Sequence, residues 1–370
     1  MNWARISFLL KRIDWIFVAA MVALMVTGIL FIYSASYRNE SSSLGSLSQR
    51  QVVWALVGFA CFLAVALADY QRVGDAAWWA FGACLVMLVM VLLMGKKVYG
   101  AYRWLNLFGI QVQPSEFAKL GTLFILARFL SQPSRDMTEP RVLVQVLLIL
   151  AAPFLLIVKQ PDLGTALTLV PLAVAMMFVA GVPMRYLAIL GLVGLCLLPF
   201  GWLSLGEYQK ERIMVFFDPA RDPLGSGWNK IQSEIAVGSG GIAGKGYLKG
   251  TQNILGFLPR TVAPTDFIFS VIAEELGFVG SALLLSLFAT LVVGGLRAAL
   301  RARDKFGRLL VVGVVVLMFF HLFVNMAMTI GLMPVTGIPL PLISYGGSFM
   351  VCTMVGLGLV QSVYVRRVRR

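Results

Sequence analysis

Residues 264–278 read PTDFIFSVIAEELGF, and this stretch opens a long apolar run that continues to about residue 296. It looks like the start of a membrane helix, yet it carries Asp266, Glu274 and Glu275. Ionised carboxylates near a bilayer are costly, and they usually face the protein interior or a water-filled cavity. The stretch therefore predicts a membrane helix with a polar, functional side.

The composition of the whole chain is that of an integral membrane protein. Its 370 residues are 59% hydrophobic and 13% charged, with a mean hydropathy of +0.86. A soluble domain is about half apolar and about a quarter charged. The basic leader over residues 1–15 runs into an apolar stretch without a small-residue cleavage site, so we expect it to remain as an anchor.

Ten apolar runs are long enough to span a bilayer, which takes about 20 residues. We predict an all-α integral membrane protein with about ten transmembrane helices, forming a single polytopic membrane domain over residues 1–370. The fourth helix is the least apolar, and the eighth is long enough to be tilted or broken. The predicted helices are 14–34, 51–69, 77–95, 115–131, 142–159, 163–181, 185–204, 266–296, 309–333 and 344–365.

The distribution of Lys and Arg predicts the orientation. Basic clusters precede the first helix, follow the eighth in LRAALRARDKFGR (296–308), and end the chain after residue 365. With ten spans these clusters share one side, so we predict that both termini are cytoplasmic. The net charge of +14 is then explained by anionic lipid and topology, without nucleic acid.

Two loops are predicted on the opposite side, at 96–114 and at 205–265, the latter a large extracytoplasmic loop between helices 7 and 8. Both are rich in Lys and Arg and include Arg103 and Arg212. Topology does not call for cations there, which suggests an anionic partner. The alternative is that long loops do not follow the charge rule.

Short motifs mark further candidate sites. QPSEFAK (113–119) places Glu116 and Lys119 three residues apart, which predicts either a capped helix with an ion pair or a polar cavity. In KQPDLGTAL (159–167), Asp162 is predicted to cap the sixth helix. LPLISYGGSF (340–349) has small residues that permit either close helix packing or close approach of a ligand to the backbone.

Other features do not predict a ligand site by themselves. GSGGIAGKG (238–246) fails the phosphate-loop pattern at Ser239 and Gly246, and we interpret it as a flexible or tightly turned loop whose backbone amides could bind an anion. The lone His321 is interpreted as a packed, hydrogen-bonded core residue, with a ligand or proton-relay role as the alternative. The four cysteines have no metal-binding spacing and predict no disulfide.

In the opening stretch, a helix starting at Asp266 would place Ser270 and Glu274 on the same side, with Glu275 opposite. Asp266 alone is explained by a helix cap, but Glu274 below it is not. The pattern therefore favours a water-accessible cleft at the outer leaflet. Glu275 is predicted to pair with a neighbouring helix.

Together these motifs resemble the SEDS family of bacterial cell-wall proteins, and its elongation member more than its division member. The matching stretches also include YQKERI and DPLGSGWNKIQSEIAVGSGGIAGKG, and they follow the family order. The resemblance implies a peptidoglycan glycosyltransferase of the bacterial inner membrane that polymerises lipid II alongside a class B penicillin-binding protein and the elongation machinery. It implies that Asp266 is the essential aspartate and that Glu116 and Lys119 are the family's charged pair. It also implies help from a divalent cation, Mg²⁺ or Mn²⁺, although the sequence shows no metal-ligand cluster.

We therefore expect Asp266 to act as general base. Lys119, Arg103 and Arg212, in that order, are expected to neutralise the departing pyrophosphate. Glu274 is expected to tune Asp266 or hold a metal, and Ser344, Tyr345 and Gly346 to contact substrate. The family writes LPE.HTDFIF where this chain has LPRTVAPTDFIF (258–269), with Arg260 in place of the Glu. The rival functions are a lipid II flippase and a scaffold that recruits the penicillin-binding protein.

Overall fold

In a computed structural model of the chain, all ten predicted spanning helices are present, with ends shifted by a few residues. The structure describes residues 9–37, 47–98, 101–107, 109–222, 225–259 and 261–367. Within these, nine helices are long and apolar enough to cross a membrane, and the tenth predicted span, α4, is long enough but less apolar. The spanning helices are α1 (Trp15–Ser36), α2 (Leu47–Leu67), α3 (Gln71–Met94), α4 (Pro114–Ser131), α5 (Pro140–Lys159), α6 (Leu163–Ala180), α7 (Met184–Ser204), α11 (Ile268–Leu300), α12 (Lys305–Thr329) and α13 (Gly347–Val365).

The least apolar helix, α4, lies inside the bundle. It packs against α3, α5, α6, α12 and α13, and most of its side chains are buried. The most apolar stretch of α7, by contrast, has no buried residue, as expected for a helix that faces lipid. Because protein surrounds α4, its polar residues can be satisfied by neighbouring helices instead of meeting hydrocarbon.

The two loops predicted on the outer side contain secondary structure of their own. The first forms a three-stranded antiparallel sheet, β1 (Lys96–Val98), β2 (Ala101–Leu107) and β3 (Ile110–Val112), in which Leu105 pairs with Val112. The helical prediction missed this sheet, whose pairing satisfies the backbone of a loop outside the bundle. The second contains α8 (Glu207–Phe217), a 3₁₀ turn (Pro219–Arg221), α9 (Ser226–Ser239) and the single turn α10 (Thr251–Ile254).

Helix α11 is interrupted at Gly277, whose φ of 66° and ψ of −159° are not helical. The break frees backbone carbonyls before it and backbone N–H groups after it, and the glycine-rich loop after α9 binds both sets. Four hydrogen bonds join the two segments: Lys245 N to Glu274 O (3.0 Å), Gly246 N to Glu275 O (2.9 Å), Phe278 N to Gly241 O (2.9 Å) and Val279 N to Ile242 O (3.1 Å). Of the alternatives predicted for the eighth helix, the structure shows a break, and hydrogen bonds to the loop satisfy the backbone groups that the break exposes.

Candidate active site

Asp266 lies in a turn immediately before α11, not on the helix. Its N–H donates to Val262 O at 2.9 Å. Its carbonyl accepts from Asn325 Nδ2 at 2.9 Å, and the same nitrogen donates to Ile338 O at 2.8 Å. Because Asn325 is fully buried in α12, the backbone of Asp266 is attached to a central, packed helix.

Residues 344–346, which precede α13, also form hydrogen bonds to the turn that contains Asp266. Ser344 Oγ donates to Thr265 O at 2.6 Å, and Tyr345 N donates to Pro264 O at 2.9 Å. Gly346 N is bonded to the side chain of Gln51 on α2 at 3.3 Å. Ser344, Tyr345 and Gly346, predicted to contact substrate, thus lie beside the Asp266 turn and bond to protein groups.

The Asp266 carboxylate faces Arg212 of α8 across Gly337. A Cβ added at Gly337 would lie 3.4 Å from Asp266 Oδ2 and 3.8 Å from Arg212 Nη1. Arg212 is fixed by donating to Val335 O at 3.2 Å and to the Tyr208 hydroxyl. The Asp266 carboxylate and the Arg212 guanidinium thus both lie next to Gly337. Because glycine has no side chain, the space between these two groups stays free.

Burial is the main influence on Asp266 and raises its pKa to about 6. The charge of Arg212, a hydrogen bond from Thr265 and the charge of Arg103 act in the opposite direction, while Asp162 adds to the increase. A carboxyl group with this pKa is largely ionised at neutral pH and still basic enough to accept a proton.

Arg103 of β2 lies on the turn between α5 and α6. It pairs with Asp162 at 3.8 Å and donates to the carbonyls of Gln160 and Pro161. The Asp162 side chain accepts from Thr165 N at 3.4 Å, which confirms the predicted cap of the sixth helix. Two arginines from the two outer loops, Arg103 and Arg212, are therefore brought near Asp266.

Glu116 and Lys119 form a buried ion pair on α4, with 2.9 Å between Glu116 Oε2 and Lys119 Nζ and 4% exposure of each side chain. Lys119 Nζ also lies 2.9 Å from His321 Nε2, and His321 Nδ1 lies 3.2 Å from Pro339 O. Because an ammonium group only donates, Nε2 accepts and the proton resides on Nδ1, which donates to Pro339. His321 is therefore buried and hydrogen-bonded, as predicted, and Lys119 is shared between two partners.

A cavity of about 50 Å³ lies beside this ion pair, between α4, α12 and α13. Glu116, Lys119 and His321 form one part of its lining, and most of the remainder is apolar, including Leu317, Met318 and Phe349. The ion pair and the polar cavity predicted from QPSEFAK are thus both present, whereas no side chain of the described residues caps the start of α4.

The predicted alignment of Asp266, Ser270 and Glu274 on one helix is wrong, because α11 begins only at Ile268. Ser270 is bonded instead to Ser233 of α9 at 2.7 Å. Glu274 Oε1 accepts from Lys245 Nζ (2.7 Å), Thr251 Oγ1 (3.0 Å) and Gln252 N (2.9 Å). Glu274 thus binds Lys245 of the glycine-rich loop and Thr251 and Gln252 of α10, instead of supporting Asp266.

Glu275 also binds this loop, through Leu248 N at 3.1 Å, and it accepts from Ser34 of α1, which confirms its pairing with a neighbouring helix. Four backbone N–H groups therefore donate hydrogen bonds to α11, those of Lys245, Gly246, Leu248 and Gln252. Within 238–246, the amides of Lys245 and Gly246 donate to carbonyls at the helix break and those of Gly240 and Gly244 donate to other backbone carbonyls, so these four are not available to an anion.

Two site residues were missed as such by the sequence analysis: Asn325, and His321 as the partner of Lys119. The available signal was their spacing, because His321, Asn325 and Thr329 recur every four residues in an otherwise apolar helix. Polar groups repeated on one side of a membrane helix mark an interior or functional surface. Arg260, the departure from the family pattern, lies outside the described residues.

Comparison with known proteins agrees with the motifs. The family of cell cycle proteins that comprises FtsW, RodA and SpoVE matches residues 14–368. The peptidoglycan glycosyltransferase MrdB of Escherichia coli is 38% identical over 350 residues, covering 94% of this chain and 92% of MrdB.

Solved structures give the same result. A chain from a peptidoglycan synthase complex, studied for the coordination of polymerization and crosslinking, has a TM-score of 0.81 at 33% identity, over 97% of this chain and 99% of that one. The rod shape determining protein RodA of Thermus thermophilus has a TM-score of 0.70 at 30% identity, over 97% of this chain and 98% of RodA. This chain therefore belongs to the FtsW/RodA/SpoVE family, the SEDS family that its motifs resemble.

Proposed function

We propose that this chain is a peptidoglycan glycosyltransferase that polymerises lipid II during cell elongation. The observation that carries the proposal is the Asp266 carboxylate, which is partly buried and faces Arg212 across Gly337. A base beside fixed cations, at the predicted outer end of the bundle, suits a substrate with a sugar acceptor and a pyrophosphate leaving group.

Asp266 acts as the general base in this proposal. As the acceptor 4-hydroxyl attacks the anomeric carbon of the growing chain, its proton passes to the Asp266 carboxylate. The new C–O bond forms while the bond from the anomeric carbon to the phosphate oxygen breaks, and undecaprenyl pyrophosphate leaves with the electron pair. One displacement inverts the anomeric carbon without a covalent enzyme intermediate, by analogy with inverting glycosidases.

Arg212 and Arg103 are the cations placed to neutralise the leaving pyrophosphate. Both act on the charge of Asp266, and both belong to elements of the outer loops. Lys119, ranked first from the sequence, is neutralised by Glu116 and held by His321. We therefore propose that the two arginines bind the pyrophosphate, and that Lys119 instead lines the polar end of the cavity.

A divalent cation is expected from the family resemblance. Among the described residues, no group of three or more His, Cys, Asp or Glu side chains is close enough to hold a metal ion. The donor set therefore does not fit a site built from protein groups alone, and no step of the proposed mechanism passes through a metal.

The chain is a multi-pass membrane protein. We place it in the bacterial inner membrane with both termini in the cytoplasm, and we place Asp266 on the outer side, where glycan strands are needed. A class B penicillin-binding protein is the proposed partner for crosslinking, with the elongation machinery around it. The similarity to a chain of a complex that couples polymerization with crosslinking supports this partner.

The test is polymerisation of purified lipid II by the purified protein with its penicillin-binding protein in detergent, where no transport step exists. We expect glycan strands with the wild type and none with Asp266→Asn, whose melting temperature is expected to be no lower than that of the wild type. Strands of normal yield from Asp266→Asn would refute the assignment of the base. Lipid scrambling in vesicles without any polymer would favour the flippase, and binding of the penicillin-binding protein without either polymer or scrambling would favour the scaffold.

A further inference from the structure

One side of α12 carries three polar residues, His321, Asn325 and Thr329, at intervals of four. All three are buried, and each makes a bond away from its own helix. His321 Nδ1 donates to Pro339 O, Asn325 Nδ2 donates to Asp266 O and Ile338 O, and the carbonyl of Thr329 accepts from Ser233 Oγ. This polar stripe joins a central helix to the segments around the proposed base.

Asn325 differs from its two neighbours because it bonds directly to the residue that carries the carboxylate. Its side-chain nitrogen satisfies two carbonyls, whereas its Oδ1 is buried without a partner. An unpaired buried oxygen is costly. The opposite amide orientation would be worse, since it would place that oxygen against both carbonyls. The site therefore requires a double donor at this position.

The second carbonyl belongs to Ile338, which directly follows Gly337, the residue between the Asp266 carboxylate and Arg212. We propose that Asn325 is a positioning residue: by bonding the peptides of Asp266 and Ile338 together, it sets the distance between the Asp266 carboxylate and the Arg212 guanidinium. This inference rests on the proposed role of Asp266 as general base.

The test compares Asn325→Leu, which removes both donors, with the wild type in the lipid II assay over a range of pH. A misplaced base lowers kcat by about 100-fold while the KM for lipid II stays nearly unchanged. The charged groups facing Asp266 are Arg212, Arg103 and Asp162. Loss of the alignment with Arg212 is expected to move the acid limb of the kcat profile to higher pH, and Arg212→Gln is expected to do the same.

A purely structural role for Asn325 would reduce the amount of active enzyme without moving the acid limb. Two further variants keep the proposal testable. Asn325→Ser leaves room for a water between the two carbonyls and is expected to show a smaller shift in the same direction. Thr329→Val, on the same side of α12, removes only a hydroxyl that bonds to Met326 O of its own helix, and is expected to match the wild type.

A double variant identifies the path of the effect. If Asn325 acts through Arg212, Asn325→Leu combined with Arg212→Gln costs less than the product of the single losses. An unchanged acid limb in folded Asn325→Leu and Asn325→Ser, with Asp266→Asn inactive, overturns the inference alone. Activity in Asp266→Asn overturns the proposed base as well.

Discussion

Asp266 shows how a functional charge reduces stability. Burial raises its pKa from 3.8 to about 6, against the opposing effect of Arg212. A carboxyl group whose pKa is higher in the folded than in the unfolded chain makes its full contribution to stability below the unfolded value, near pH 4. That contribution is lost as the pH rises through about 6, because the folded state must then hold a partly desolvated charge.

Asp266→Asn is accordingly expected to stabilise the protein while removing activity. The neutral amide avoids the cost of the buried charge, so the free energy of unfolding rises by roughly 1–3 kcal/mol at pH 8. The gain disappears near pH 4, where the wild-type side chain is also mostly neutral in the fold. Thermal unfolding in detergent at both pH values measures this effect. Asp218→Asn, at an exposed position, is the control, and an equal gain at both pH values would contradict the argument.

The Glu116–Lys119 pair is expected to respond differently to single and double changes. Lys119→Met leaves a buried, unpaired carboxylate and lowers stability by about 3–5 kcal/mol. Glu116→Leu with Lys119→Met removes both charges and restores most of that loss. Melting temperatures of the single and double variants provide the measurement, and equal losses would refute the explanation. Lys210→Met breaks an exposed pair, 3.6 Å from Glu207, and is expected to change stability by less than about 1 kcal/mol.

At the scale of elements, the interruption of α11 and the glycine-rich loop form one unit. Glycines are needed in this loop because its backbone lies in direct contact with the backbone of α11. A Cβ at Gly240 would lie 2.0 Å from Ala273 O, and one at Gly244 would lie 2.2 Å from Glu275 O. Glu274 and Glu275 add side-chain bonds to the same loop. The carboxylates of the opening stretch thus divide into one proposed base and two anchors.

Gly244→Ala tests this unit. Gly244 has a φ of +76°, so the substitution adds backbone strain to the clash with Glu275 O, and we expect a loss of about 2 kcal/mol or more. Hydrogen exchange at the amides of Lys245 and Gly246 is expected to accelerate. Gly238→Ala is the control, since an added Cβ there meets nothing within 4 Å and Gly238 lies inside α9. Slow exchange retained in Gly244→Ala would show that the loop does not depend on this close approach.

Local sequence patterns predicted what depends on local interactions. Apolar runs predicted nine of the spanning helices clearly and α4 with a weaker signal. The i,i+3 spacing predicted the Glu116–Lys119 pair, and the position of Asp162 before an apolar run predicted its cap. Each of these follows from interactions over a few residues.

The remaining features depend on contacts between distant segments. The bonds of Asn325 to Asp266 and of Lys119 to His321 join residues 59 and 202 positions apart. The prediction that Asp266 and Glu274 lie on the same side of a helix was wrong. It assumed that residues 266 and 267 are helical, whereas the chain forms a turn there. The role of the glycine-rich loop depends on a helix break that the glycines themselves do not reveal.

At the scale of the whole molecule, whether α4 crosses the membrane determines on which side each later loop lies. It is the one spanning helix whose apolar content is too low for recognition by hydropathy among the described residues. If α4 crosses the membrane, seven spans precede the 205–265 loop and eight precede the basic segment near Arg301. The loop is then outside and the basic segment inside, in agreement with the bias of Lys and Arg.

Thiol labelling of intact cells tests this arrangement. Ile242→Cys places an accessible thiol in the glycine-rich loop, where the native side chain is 76% exposed, and Arg301→Cys places one in the exposed segment after α11. A membrane-impermeant maleimide is expected to label Ile242→Cys in intact cells and Arg301→Cys only after permeabilisation. The four native cysteines lie within spanning helices and give the background, measured in the parent chain. If α4 does not cross, only six spans precede the loop, and the labelling of the two positions is reversed. That outcome would place Asp266 in the cytoplasm, away from the site of glycan assembly, and would refute the proposed mechanism together with the topology.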